Sequence, residues 1–217
     1  MGRGIIGKLS TEHVVTYLKQ LQETIASLPT DLIDQVVAIL LECAHSGRKV
    51  FICGNGGSAA TASHFACDLA KNTVILGAPP FRVIALTDNM ALMTAWANDT
   101  AYDNVFAAQL GPLVEPEDVV IGLSCSGNSA NVLKAMAVSR QHGATTIGFT
   151  GDKGGRLKDT VDLCIRVPTP HIEQQEDAHL ILEHCICAAI RAELSRQYAP
   201  VPYEISSSQA TQDLLVS

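Results

Sequence analysis

The 217-residue chain has 15 basic and 22 acidic residues, a net charge of −7, 47% hydrophobic residues and 17% charged residues. This balance supports one sizeable buried core and excludes wholesale disorder. The scattered basic residues disfavour a nucleic-acid surface but leave room for a local phosphate site. Seven cysteines, an odd number with no Cys-x-x-Cys pair, fit a reduced cytoplasmic protein better than a disulfide scaffold. The opening "MGRGIIGKLSTEH" has no apolar stretch suited to a secretion signal. No run reaches the roughly 18 apolar residues of a membrane span.

Two helices are predicted first. Ser10 or Thr11 can cap a segment with Val14, Leu18, Leu21, Ile25 and Leu28 at helical spacing. Pro29 separates it from a second helix, over 30–46, with Leu32, Val36, Ile39, Leu40 and Cys43 on one stripe; Gly47 ends it. The pattern then changes. Short runs rich in Val, Ile, Leu and Phe at 49–53, 81–86, 118–123, 145–150 and 162–167 read as strands covered on both faces. Helices are predicted between most of them, at 58–71, at 89–110 with a break near Asp99, and at 129–142. Such alternation predicts a doubly wound α/β fold with a mainly parallel, five-stranded sheet and right-handed crossovers. A long last helix, 172–197, is expected to pack with the two N-terminal helices, within one subunit or between subunits. Residues 1–198 read as one domain, and the Pro- and Ser-rich tail 199–217 as loosely held.

In a parallel sheet, ligands collect at the carboxyl ends of strands. "GNGGS", 54–58, sits at that end of the first strand and opens a helix whose unpaired N–H groups suit an anion. "SCSGNS", 124–129, sits at the corresponding end of the third strand and offers three hydroxyls at another helix start. The plainer reading of either stretch alone is a tight or capped turn. Together they point to a small phosphorylated ligand held without a P-loop lysine. A dinucleotide fingerprint fails, because its third glycine would have to stand at Ala59. His64 and Asp68 are four apart, so they share a helix face. That spacing can chelate a metal, align a base near a ligand, or form a surface ion pair.

"CGNGGSAATASHFACDLA", "WANDTAYDNVF", "SCSGNSANVLKA" and "GFTGDKGGRL" together resemble the sugar isomerase (SIS) fold, and within it the phosphoheptose isomerases, over residues 11–197. The resemblance implies a flavodoxin-like sheet with terminal helices packed in an oligomer, and isomerisation of sedoheptulose 7-phosphate through an enediol-type intermediate. It implies substrate contacts from Asn55, Gly56, Gly57, Ser58, Asn98, Asp99, Ser124, Cys125, Ser126, Ser129 and Glu176. It implies catalysis by Asp68 and His184, a zinc site of His64, Asp68, Glu176 and His184, and a cytoplasmic homotetramer with sites at subunit interfaces. Neither nucleic acid nor membrane is an expected partner.

Three positions depart from the family pattern. Cys125 stands for a threonine, Asp68 for the catalytic glutamate, and Glu176 for a glutamine eight residues before His184. Glu176 and His184 lie about 12 Å apart along an ideal helix, so one ion is hard for both to reach in one chain. This predicts that a site draws them from different subunits. His179 is expected on an acidic, solvated helix face. Two other readings stay open: isomerisation of a different sugar phosphate, and a non-catalytic protein of the same fold that binds sugar phosphate or associates with the bacterial replication initiator.

Overall fold

The computed structural model describes residues 3–198, with side chains from residue 11 onward; the tail 199–217 lies outside the described residues. Helices α1 (Arg3–Ala26) and α2 (Thr30–His45) precede β1 (Lys49–Gly54), α3 (Gly57–Lys71), β2 (Arg82–Ala85), α4 (Met90–Asp99), α5 (Ala107–Leu110), β3 (Val119–Ser124), α6 (Ala130–Gln141), β4 (Thr145–Gly151), β5 (Leu163–Val167) and α7 (Ile172–Tyr198). The five strands are all parallel, in the order β2-β1-β3-β4-β5. The order reverses between β1 and β3, which leaves a crevice outside their carboxyl ends.

Every residue of β3 is buried, and in β1 and β4 only the first residue is not. This is why these strands read as continuous apolar runs. Their side chains alternate between two cores. Val50 and Ile52 of β1 face α2, α3 and α7, while Phe51 and Cys53 face the α5–α6 side. The helical stretch expected over 89–110 breaks after Asp99, as read. Gly47 ends α2 in the left-handed conformation, with φ of 66°.

Two expectations are corrected. α1 runs through Ser10 and Thr11, so neither residue starts it. The first half of its apolar stripe is not covered within the chain, Val14 and Leu18 being 55% and 58% exposed, whereas Leu21, Ile25 and Leu28 are half-buried. α1 meets α7 through a polar face instead. The Tyr17 hydroxyl donates to Asp177, and Gln174 Nε2 donates to Gln20 Oε1 at 3.2 Å.

His179 is not on a solvated face. It is fully buried on α7, its ring centroid 6.0 Å from that of Phe149. Its Nε2 lies 3.4 Å from the Thr150 carbonyl, and its Nδ1 has no partner among the described residues. α7 buries a wide face that includes Gln174, Gln175, His179 and Glu183 beside its aliphatic residues, so counting charges hid the core side of the helix.

Burial lowers the His179 imidazole to about 4. Between pH 6.5 and 4 the unfolded chain takes up this proton and the folded chain does not, so this residue's contribution falls on acidification. The slope reaches at most about 1.4 kcal/mol per pH unit. Urea unfolding of His179→Gln over that window is expected to show a shallower acid loss than wild type. Parallel curves would show that His179 titrates normally.

Candidate active site

β1 and β3 are the two strands flanking the reversal, and each ends in one of the two turns singled out in the sequence. The turns therefore meet across the crevice. Between them lies a cavity of about 160 Å³, lined by Asn55, Ser58, Leu123, Ser124, Cys125, Ser126, Ser129, Ile172 and Glu176. The Ser124 hydroxyl is central: its Oγ lies 3.0 Å from Ser129 Oγ and 3.4 Å from Ser126 Oγ. Ser129 is the N-cap of α6, but its side chain makes no cap bond, so the hydroxyl stays turned to Ser124. Three hydroxyls and the start of α6 thus face one small space, a setting that suits an anion.

A second turn braces this one. The Leu157 N–H donates to the Gly127 carbonyl at 2.9 Å, and the Arg156 N–H to Asn128 Oδ1 at 3.1 Å. Thr150 Oγ1 donates to the Cys125 carbonyl at 3.3 Å. Gly127 has φ of 63°, and a Cβ there would lie 2.1 Å from the Gly154 carbonyl oxygen. "GDKGG" is therefore packed against the serine turn, backbone to backbone.

At the other turn, Glu176 of α7 lies directly over Gly57. A Cβ on that glycine would fall 2.6 Å from the carboxylate. The partial positive charge at the start of α3 favours a carboxylate there. The anion niche that the sequence places at "GNGGS" thus faces the protein's own Glu176, while the serine turn remains for a ligand. Asn55 is held in place: it exchanges two amide hydrogen bonds with the buried Asn131, at 2.9 and 2.8 Å, and accepts another from the Tyr102 hydroxyl at 2.9 Å. Burial, reinforced by the charge of Glu176, pushes the Cys125 thiol up to about 11. It stays protonated near neutrality and is no nucleophile.

The third part of the site lies where α3 meets α7. His64, Asp68, Glu183 and His184 bring one ligand atom each to within 4.8 Å of the others, so they could hold a metal ion. The Nε2 atoms of His64 and His184 are 3.2 Å apart. Glu183 Oε1 lies 3.2 Å from His184 Nε2 and 3.5 Å from His64 Nε2. Asp68 approaches the same two nitrogens at 3.7 and 3.9 Å. The Asn72 amide donates to Asp68 Oδ1 at 2.7 Å. Both imidazoles are about half exposed, at 46% and 49% of their side chains, whereas Glu183 is fully buried. Burial first, and then the charge of Asp68, raises the Glu183 carboxyl to about 8. The cluster opens to a cavity of about 370 Å³, also lined by Asn72, Cys187, Ala188 and Arg191.

His64, Asp68 and His184 thus come together within one chain. Glu176, expected to reach the ion from a different subunit than His184, lines the serine-turn cavity of its own chain, and Glu183 stands in the cluster beside His64, Asp68 and His184. Asn98 and Asp99 lie exposed at the end of α4, where Asn98 Nδ2 donates to Asp99 Oδ1, and neither lines the serine-turn cavity. Sequence reasoning missed Glu183, Asn131 and Tyr102. For Asn131 a signal was present, since it falls in "SGNSANV", as the second residue of the helix that the serine loop opens.

Small-residue turns on either side of the reversal of a five-stranded parallel sheet mark a doubly wound α/β domain with a crevice at its switch point, and residues 13–151 match the SIS domain family. Beyond the sheet, the chain is 39% identical to the phosphoheptose isomerase of Rhodospirillum rubrum over 158 residues, covering 73% of this chain and 84% of the relative. It is 40% identical to that of Aliarcobacter butzleri over 179 residues, covering 80% and 93%. The solved phosphoheptose isomerases of Neisseria gonorrhoeae and Francisella tularensis superpose with TM-scores of 0.78 at 30% and 32% identity, each over 84% of this chain and 98% of theirs. The chain belongs to the phosphoheptose isomerase family of SIS-domain proteins.

Proposed function

We propose that the protein is an aldose–ketose isomerase that converts sedoheptulose 7-phosphate into a heptose 7-phosphate through an enediol-type intermediate. One observation carries the reading: a hydroxyl-lined anion cavity and a carboxylate–imidazole cluster lie along the same helix, α7. From Glu176 at the cavity to Glu183 in the cluster is about 10 Å of helix. That spacing suits a long-chain sugar with its phosphate at one end and its carbonyl at the other. Family membership supports the same reaction.

In this proposal Ser124, Ser126, Ser129 and the Cys125 backbone N–H hold the phosphate. Asn55, fixed by Asn131, and the 56–58 backbone face the sugar, and Glu176 accepts from its hydroxyls. Asp68 removes the proton from C1 and returns it to C2. His184 donates a proton to the carbonyl oxygen at C2 and recovers one from the hydroxyl at C1, a task suited to an imidazole, which can both give and take a proton. His64, Asp68 and His184 would hold a zinc ion, consistent with their mixed nitrogen and oxygen donors. Bound there, zinc would supply Lewis-acid stabilisation of the developing oxyanion.

A cytoplasmic homotetramer completes the reading. It is supported by the uncovered Val14 and Leu18 on α1, and by α4, which has no buried residue while Met90 and Leu92 stand exposed. Asn98 and Asp99 would reach a ligand only across such an interface.

The test is turnover of pentose, hexose and heptose phosphates, with and without added zinc. Preference for the heptose phosphate is expected, and no turnover of any would favour a non-catalytic binding protein. Replacing Ser124 and Ser126 together by alanine is expected to weaken sugar-phosphate binding. Each lost hydrogen bond to a charged group is worth about 1.5–3 kcal/mol, so the double variant should lose roughly a hundredfold or more. Unchanged affinity by calorimetry would move the phosphate elsewhere.

A further inference from the structure

Glu183 has no part in the proton transfers proposed above, yet it is the most deeply enclosed charge-bearing group of the cluster. Its side chain is fully buried, and neither carboxylate oxygen has a hydrogen-bond partner among the described residues. A carboxylate enclosed in this way is costly unless a cation or donors meet it. The second carboxylate of the cluster, Asp68, adds like charge. The groups that face Glu183 Oε1 are two imidazoles, and each presents its Nε2.

The distances describe a coordination shell. Ligand atoms about 2.0–2.1 Å from a tetrahedral zinc-class ion lie about 3.3 Å from one another. The His64 and His184 nitrogens are 3.2 Å apart, and Glu183 Oε1 is 3.2 Å from one and 3.5 Å from the other. These three atoms outline one face of such a tetrahedron. Asp68 closes the remaining side, with Oδ1 3.7 Å from His64 Nε2 and Oδ2 3.9 Å from His184 Nε2, and the Asn72 amide on Oδ1 orients it. Glu176 is engaged elsewhere, over Gly57 at the start of α3.

We propose that Glu183, and not Glu176, completes the metal site, so that His64, Asp68, Glu183 and His184 of a single chain hold one divalent zinc-class ion, which the substrate oxygen would join as a fifth donor. This deepens the metal reading of the previous section and rests on it. Two carboxylates balance the charge of a divalent ion, which makes its burial between α3 and α7 affordable, and two imidazoles favour zinc or cobalt over magnesium or calcium. No residue of a partner subunit is required, so the stoichiometry is one ion per chain. The ion ties α3 to α7, and loading raises thermal stability.

The experiment uses the full chain, stripped with a chelator and titrated with Co²⁺. The visible d–d bands are followed, with Zn²⁺ as competitor and thermal melts in parallel. Wild type takes up one ion per chain with a tetrahedral spectrum and melts higher when loaded. Removing an outer-shell partner typically costs 10–100-fold in metal affinity, so loss of a direct ligand in Glu183→Gln weakens Co²⁺ and Zn²⁺ binding by roughly a hundredfold or more. Glu176→Gln keeps wild-type affinity. Circular dichroism of the metal-free variants reports folding; if Glu183→Gln does not fold, Glu183→Asp, which keeps the charge and shortens the reach, must still bind more weakly than wild type. Wild-type metal affinity in a folded Glu183 variant, a loss confined to Glu176→Gln, or half an ion per chain overturns the proposal. None of these readouts involves turnover. A chain that binds Co²⁺ through Glu183 yet isomerises no sugar phosphate would sink the reaction and leave this site standing.

Discussion

His184→Ala and Asp68→Asn are each expected to lower isomerase turnover by roughly 10²–10⁴-fold, the range that a positioned acid or base supplies. Sugar-phosphate affinity, measured by calorimetry, is expected to change little. The two groups act on protons as the transition state forms, whereas the serine turn grips the phosphate in the ground state as well. The structure separates these tasks in space: the hydroxyls line one cavity, and Asp68 and His184 line another further along α7. Folding should not confuse the result for His184, whose side chain is about half exposed. An Asp68→Asn protein with wild-type turnover would remove Asp68 from the mechanism. A large loss of binding in either variant would instead join the two cavities into one grip.

The sheet was legible because its strands are short apolar runs punctuated by glycines, and a fully covered parallel strand has to read that way. The crevice followed, since two small-residue turns each closed a strand. His64 and Asp68 were legible as an i, i+4 pair on one face of α3. Glu183 was not, for a physical reason. Neighbouring residues on a helix point about 100° apart, so a glutamate next to His184 does not look like its partner. It becomes one only because α3 crosses α7 there, with Glu183 reaching His64 from the buried side and His184 from the open side. Counting eight residues back to Glu176 follows the spacing along one helix, and such a count carries no information about a crossing. Asn131 and Tyr102 are likewise tertiary, 76 and 47 residues from the Asn55 they hold. The exposed Val14 and Leu18 of α1 illustrate a further limit: helical periodicity marks an apolar face without saying what covers it.

Gly127→Ala is expected to damage both stability and phosphate binding. Two costs add at this position. With φ of 63°, the residue lies in the left-handed region, which costs a non-glycine residue about 1–3 kcal/mol. The new Cβ would also sit 2.1 Å from the Gly154 carbonyl oxygen and 2.6 Å from its carbon. Both are backbone atoms, and a side-chain rotation cannot relieve the clash. The turn must separate from 151–155, breaking the Leu157 N–H to Gly127 carbonyl bond and shifting the Ser124, Ser126 and Ser129 hydroxyls. A shift of about 1 Å in a positioning group can cost around a hundredfold. Urea unfolding should therefore report a loss of about 3 kcal/mol or more, with sugar-phosphate binding at least tenfold weaker by calorimetry. Gly77→Ala provides the comparison. Its φ is 86°, but nothing lies within 4 Å of the added Cβ, so only the conformational cost applies. If the two variants lose equal stability and Gly127→Ala still binds the sugar phosphate, the second turn does not brace the serine turn, and the hydroxyls keep their places without it.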